Sequence, residues 1–172
     1  LIGDKTIVRA SYYASIFRPN FAQFTPAGEI NDDDELAAGN PDLQRTEADN
    51  FDLLVEYYPT DSSIIQGGIF YKTLDNLIAP TIFDGEINFN GLDTQGVETF
   101  QNADGEIFGV EIGYQQALDY LPAPWDGIIV GANYTYADSE AEFILEDQLI
   151  VTDVPGQSEH IFNAIVGYDK GR

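Results

Sequence analysis

The chain has no cysteine, so it can build neither a disulfide framework nor a thiolate metal centre. It has a single histidine, His160, which excludes a zinc or copper site made of clustered imidazoles. A Ser-His-acid triad would have to use that residue. Its neighbours Ser158 and Glu159 are adjacent in sequence and would point to opposite sides of a strand, so no catalytic residue is assigned. Base is scarce: 7 Lys and Arg stand against 30 Asp and Glu, a formal net charge of -23. That excludes ordinary nucleic-acid binding, which needs a cationic face to displace counterions. It also argues against docking on anionic headgroups through a basic patch. Such acidity keeps a protein soluble and self-repelling, or draws cations and cationic ligands to it. No run approaches the roughly 18 apolar residues of a membrane helix, so any contact with a bilayer would be through strands. No glycine-rich phosphate loop is present. No signal peptide is visible, and the chain runs from Leu1 to Arg172 with strand-like spacing at its end, which reads as a segment of a longer protein.

What the chain has in quantity is Tyr, Phe, Ile and Val at period two, the spacing of a strand with two unlike faces. Six segments show it: residues 5–16, 46–58, 63–74, 106–118, 127–138 and 160–169. In the second, Phe51, Leu53, Val55 and Tyr57 alternate with Asn50, Asp52, Leu54 and Glu56. Each segment is close to the 9–11 or so residues of a tilted transmembrane strand. A soluble sandwich would bury the apolar faces against a second sheet, whereas a membrane barrel turns them to lipid. Alternation alone leaves both open.

The connections separate them. Short turns at 59–62 and 120–126, with a third beginning at Asp169, alternate with long loops at 18–45, 75–105 and 139–159. Outer-membrane barrels keep that rhythm, with short periplasmic turns and long extracellular loops. Tyr57, Tyr58, Tyr71, Tyr114, Tyr120, Tyr134 and Tyr136 fall near strand ends, as interfacial girdles do. The expected fold is all-β, an antiparallel up-and-down meander forming part of a transmembrane barrel. Its acidic clusters, including Glu29, Glu140 and Glu142, would lie mainly in the outer loops.

The order of motifs is similar to the barrel of TonB-dependent receptors. Arg9-Ala-Ser-Tyr-Tyr-Ala-Ser-Ile-Phe-Arg-Pro-Asn-Phe resembles a barrel strand and the start of its loop. Gly39-Asn-Pro-Asp-Leu-Gln-Arg-Thr-Glu-Ala-Asp-Asn-Phe resembles the family's GNPDL-x-x-E-x-x-x-N signature. Gly68-Ile-Phe-Tyr-Lys, Asp75-Asn-Leu-Ile, Asn102-Ala-Asp-Gly-Glu-Ile-Phe-Gly-Val-Glu, Gly131-Ala-Asn-Tyr-Thr-Tyr-Ala and Val154-Pro-Gly-Gln-Ser-Glu-His follow in order. The likeness covers nearly the whole chain, which is read as one partial barrel domain over residues 1–172, and is nearest to the Caulobacter and Xanthomonas type of receptor. It implies a barrel of about 22 strands with a plugged lumen. It also implies capture of a scarce nutrient, a siderophore-like metal chelate or an oligosaccharide, with import powered through the TonB complex. The plug domain and TonB box are not in this sequence. Within the signature, Gly39 is expected to supply freedom of φ and Pro41 an extended turn, together setting where the strand from Thr46 re-enters.

Candidate ligand residues are the outer-loop aromatics Phe21, Phe24, Phe83 and Phe89, with Phe17 and Phe100, which could stack on sugars or aromatic chelates. Arg18, at the strand-to-loop junction, could meet an anionic ligand. Asp32, Asp33, Asp34 and Glu35 offer hard oxygen ligands for calcium, as does the Asn102–Glu106 turn. Otherwise no cofactor is expected. The reading is therefore a non-enzymatic outer-membrane receptor segment in contact with lipid. Its rivals are a soluble acidic all-β module that binds carbohydrate or calcium in a secreted protein, and a porin or adhesin barrel. An isolated chain would expose open edges and a bare lipid face, and should pair or aggregate.

Overall fold

The computed structural model describes residues 4–31, 35–89, 91–145 and 148–169. In chain order its elements are β1 (Thr6–Phe17), the single-turn helix α1 (Phe21–Phe24), β2 (Gly28–Ile30), β3 (Glu35–Ala38), β4 (Thr46–Tyr57), β5 (Ser63–Phe89), β6 (Leu92–Ala117), β7 (Ile128–Leu145), β8 (Gln148–Thr152) and β9 (His160–Tyr168). β1, β4, β5, β6, β7 and β9 form one antiparallel meander, each paired with the next.

The register puts the period-two pattern to use. Residues opposite one another share a face, so pairing links Val8, Val55, Gly67, Ile112, Tyr134 and Phe162 into one row across the sheet. One residue along, Arg9, Leu54, Gly68, Glu111, Thr135 and Ile161 form a row on the opposite face. A slip of one residue in any pair would mix the two rows. The first face is bare: Ile69 is 47%, Ile112 60% and Phe162 69% exposed. Among the described residues no second sheet covers it, which removes a sandwich built within this chain. The second face holds the polar groups, including Asn50 and Glu56, both buried. Arg9 pairs with Glu56 on it, and the tip of the Phe70 ring stands over Gly109, where a Cβ would meet it at 2.1 Å. Among the described residues β1 pairs only with β4 and β9 only with β7, so the sheet is open.

Two of the expected long loops are largely strand. β5 and β6 run on past the predicted loop boundaries at 75 and 105 as one long hairpin, and β7 continues to Leu145 and turns back as β8. The sequence hides this because β5 carries a bulge between Leu74 and Leu77. Two β5 residues, Asp75 and Asn76, stand against the single Asp104, so the parity of the strand switches there. Below the bulge Leu74 faces inward with Phe70 and Lys72; above it Leu77, Ala79 and Thr81 take that face. Asn76 makes the switch at φ 56, a conformation Asn tolerates better than most side chains. The buried cluster of Leu74, Ile107, Ala137, Ala141 and Val154 sits at this level, so the packed core lies at the outer end of the sheet.

Candidate ligand site at the outer rim

The first outer connection folds back onto the β5–β6 hairpin. Asn20 caps α1 by accepting from the Gln23 amide (2.9 Å), and Gln23 Oε1 accepts from the Asn20 amide (3.0 Å), a closed capping box. β2 and β3 form a small antiparallel pair, and β3 then lies parallel to β6, with Leu36 beside Val97. Asn31 and Glu35 close the turn between them: Glu35 N–H donates to Asn31 Oδ1 (2.9 Å), and Asn31 Nδ2 donates to Glu35 Oε2 (3.0 Å) and to Glu98 Oε2 (3.1 Å).

Gly39 and Asn40 bind the helix to the hairpin. The Gly39 amide donates to Thr25 O (3.1 Å), and the Asn40 amide to Gln23 O (2.7 Å). A Cβ on Gly39 would stand 2.5 Å from both Ala22 O and Thr25 O. Close approach, rather than the expected freedom of φ, is what requires glycine here, since its φ is not in the left-handed region. Asn40 Nδ2 donates to Phe100 O (2.9 Å), and its Oδ1 accepts from the Asp42 amide across Pro41 (2.9 Å).

Asn102 is the second fastening. Its Oδ1 accepts from the Gln44 amide (2.8 Å), and its Nδ2 donates to Gln44 O (3.1 Å) and to Asn76 O (2.8 Å). Thr46 Oγ1 also donates to Asn76 O (3.0 Å), and the Asn76 amide donates to Asp104 Oδ1 (3.1 Å). The returning strand, the β5 bulge and β6 are thus tied at one point. The residues that suggested half a calcium loop, Asn102 and Asp104, are engaged with backbone.

This scaffold borders an open cleft of about 490 Å³, lined by Phe21 and Phe100 and by small residues such as Ala37 and Gly39. Glu29 and Glu98 stand on its border, and among the described residues none of those lining it is basic. Of the sequence-predicted ligand residues, Phe21 and Phe100 are brought together here. Phe24 is exposed outside it, Phe17 is an exposed end residue of β1, and Phe83 is a strand residue paired with Val97 rather than a loop residue. Arg18 is exposed and, among the described residues, forms no ion pair. Glu35 is engaged with Asn31. Asp32, Asp33 and Asp34 lie outside the described residues, as does the side chain of Phe89. Among the described residues no group of three or more potential metal-binding side chains is assembled. His160 belongs to the outward face, where its Nδ1 lies 2.9 Å from the Tyr134 hydroxyl and its ring packs beside Tyr136. Sequence reasoning missed Asn31, Asn76 and Glu98 as site-building residues, and read Asn102 only as part of a candidate calcium turn. Three of the four are Asn, a residue prone to turns and side-chain-to-backbone bonds.

Comparison with known proteins agrees with this geometry. A family model described as TonB dependent receptor-like, beta-barrel, matches residues 2–172. The fold is similar to that of the siderophore receptor PirA from Pseudomonas aeruginosa, with a TM-score of 0.61 and 16% sequence identity. That match covers 99% of this chain and 35% of PirA, so the chain spans about a third of that receptor. No curated protein sequence matches.

Proposed function

We propose, from the premise that the chain belongs to the family of TonB-dependent receptor β-barrels, that it forms part of the lipid-facing wall and outer rim of a nutrient receptor. The family's barrels are outer-membrane proteins, and that is the compartment of this chain. The whole receptor would capture a scarce small molecule outside the cell and import it with energy delivered through TonB, without enzymatic chemistry on the ligand. A metal chelate or an oligosaccharide fits that role; the first is the kind of ligand named for PirA.

One observation carries the reading: six paired strands present a continuous apolar face to the outside and a polar face to the inside. Lipid stabilises such a face, as it does the outer face of a membrane barrel. The lack of native cysteine allows a direct test. Single cysteines at Ile69, Ile112 and Phe162, and at Asp52, Gly113 and Asn163, are reacted with a water-soluble maleimide in lipid vesicles. The first three should be protected and the last three should react. Equal reaction of both sets would sink the reading. A soluble acidic module would also give a detergent-free monomer that melts cooperatively. Import itself is tested in cells expressing the whole receptor, where uptake should stop when TonB is removed.

A further inference from the structure

We propose that the cavity between α1 and β6 is a subsite for a positively charged ligand with a flat apolar face, such as a cationic metal chelate or an aromatic amine, and that it rejects anionic chelates. This deepens the receptor reading and rests on it. Shape supplies the first half of the argument. About 490 Å³ is room for a drug-sized group, and Phe21 and Phe100 give it aromatic walls against which a planar group can lie. The backbone of both walls is held before any ligand arrives, while Phe21 itself is 79% exposed at the mouth of the cleft. The capping box sets α1, Gly39 and Asn40 bond α1 to the returning chain, and Asn40 bonds that chain to Phe100 O. A preformed pocket loses little ordering entropy on binding.

Charge supplies the second half. Glu29 and Glu98 border the pocket, and among the described residues no lining cation neutralises them. Asn31 Nδ2 holds one oxygen of Glu98, and among the described residues its other oxygen has no partner. An anion entering here would meet two carboxylates within a chain of net charge -23, whereas a cation gains from both. The aromatic faces add to that preference, because a ring's π-face attracts positive charge.

The test uses the whole receptor that carries this chain, purified in zwitterionic micelles, with two planar probes of opposite charge: proflavine, a cationic acridine, and anilinonaphthalene sulfonate, an anion. Binding is measured by equilibrium dialysis at two ionic strengths. The receptor should bind proflavine more tightly than the sulfonate, and the preference should shrink as salt rises. Replacing both Glu29→Gln and Glu98→Gln should weaken proflavine about five- to tenfold and narrow the gap to the sulfonate. Phe100→Ala should weaken proflavine severalfold with its salt dependence unchanged. Glu140→Gln with Glu142→Gln removes the same charge from outside this cavity and should leave binding within about twofold. Equal loss in the two double variants would mean diffuse attraction and overturn the proposal. So would tighter binding of the sulfonate, or no binding of either probe. The maleimide pattern on the strands is independent of these outcomes, so failure of the subsite and failure of the receptor reading are told apart.

Discussion

Truncation of Asn102 to alanine examines the outer fastening directly. The substitution removes three hydrogen bonds, two to Gln44 at 2.8 and 3.1 Å and one to Asn76 O at 2.8 Å. A hydrogen bond contributes about 0.5–1.5 kcal/mol net, and more when its loss leaves a buried partner unsatisfied. Here that surcharge is small. The Gln44 groups are exposed and can turn to water, and Asn76 O keeps the Thr46 hydroxyl at 3.0 Å. Three such bonds sum to about 1.5–4.5 kcal/mol, and the expected cost lies at the low end, about 1.5–2 kcal/mol, borne by the local fastening and not by the whole sheet. Hydrogen exchange of the folded chain reads it. The Gln44 amide should exchange about 10- to 30-fold faster, since each 1.4 kcal/mol or so is a factor of ten. Amides of Val110 and Ile112, deep in the ladder, should keep their rates. Asn102→Asp should not rescue: it keeps the acceptor for Gln44, loses both donors, and sets an anion beside two carbonyl oxygens. Unchanged exchange at Gln44, or equal acceleration along the barrel strands, would refute the idea that Asn102 fastens the outer connection locally.

Three further outcomes follow from the faces and close approaches. Ile112→Arg puts a charge on the outward face and should cost about 2–4 kcal/mol in denaturant titrations in lipid vesicles, while Glu111→Arg on the inner face should cost far less. Gly109→Ala sets a Cβ 2.1 Å from the Phe70 ring and should cost about 1–3 kcal/mol, most of which should vanish in a Phe70→Ala background, a coupling read by a double-mutant cycle. Gly39→Ala drives a Cβ to 2.5 Å from two backbone oxygens that cannot rotate away, so the Gly39 and Asn40 amides should exchange faster than in the parent while the barrel strands stay protected.

The barrel wall was legible because membrane strands obey one local rule. Phe51, Leu53, Val55 and Tyr57 sit on alternate positions, and each meets an apolar partner or a glycine on β5. Nothing outside the strand has to be known to read that, and the register only lines up patterns already present. The rule failed where it was locally broken. At Asp75 and Asn76 the bulge shifts the parity, so the two stretches of β5, out of phase with each other, read as a strand followed by a loop. The composition above the bulge, with Asp, Asn and Pro, deepened the mistake, because those residues are depleted in ordinary strands. Pro80 stands in that ladder opposite Phe100.

The site was less legible than the wall because its contacts are distant in sequence and use side chains against backbone. Phe21 and Phe100 were both visible as aromatics, but nothing within either segment indicates that they share a cavity. Their meeting depends on β3 lying parallel to β6 and on Asn40 and Asn102 grasping backbone about 60 residues away. A parallel pairing made through an outer connection has no periodic signature, and an Asn that caps a distant backbone looks like any turn residue. The sequence signature from Gly39 to Leu43 gains its physical meaning only once that partner is known. Gly39 is small so that α1 can pack against it, and Asn40 reaches across to the strand that carries Phe100. The segment that looked like a device for returning the chain to the barrel therefore also sets one wall of the pocket. Substitutions at Gly39 or Asn40 should accordingly weaken proflavine binding together with the fastening of the connection, whereas Phe100→Ala should weaken binding with the fastening intact, because Asn40 bonds the Phe100 carbonyl and not its ring.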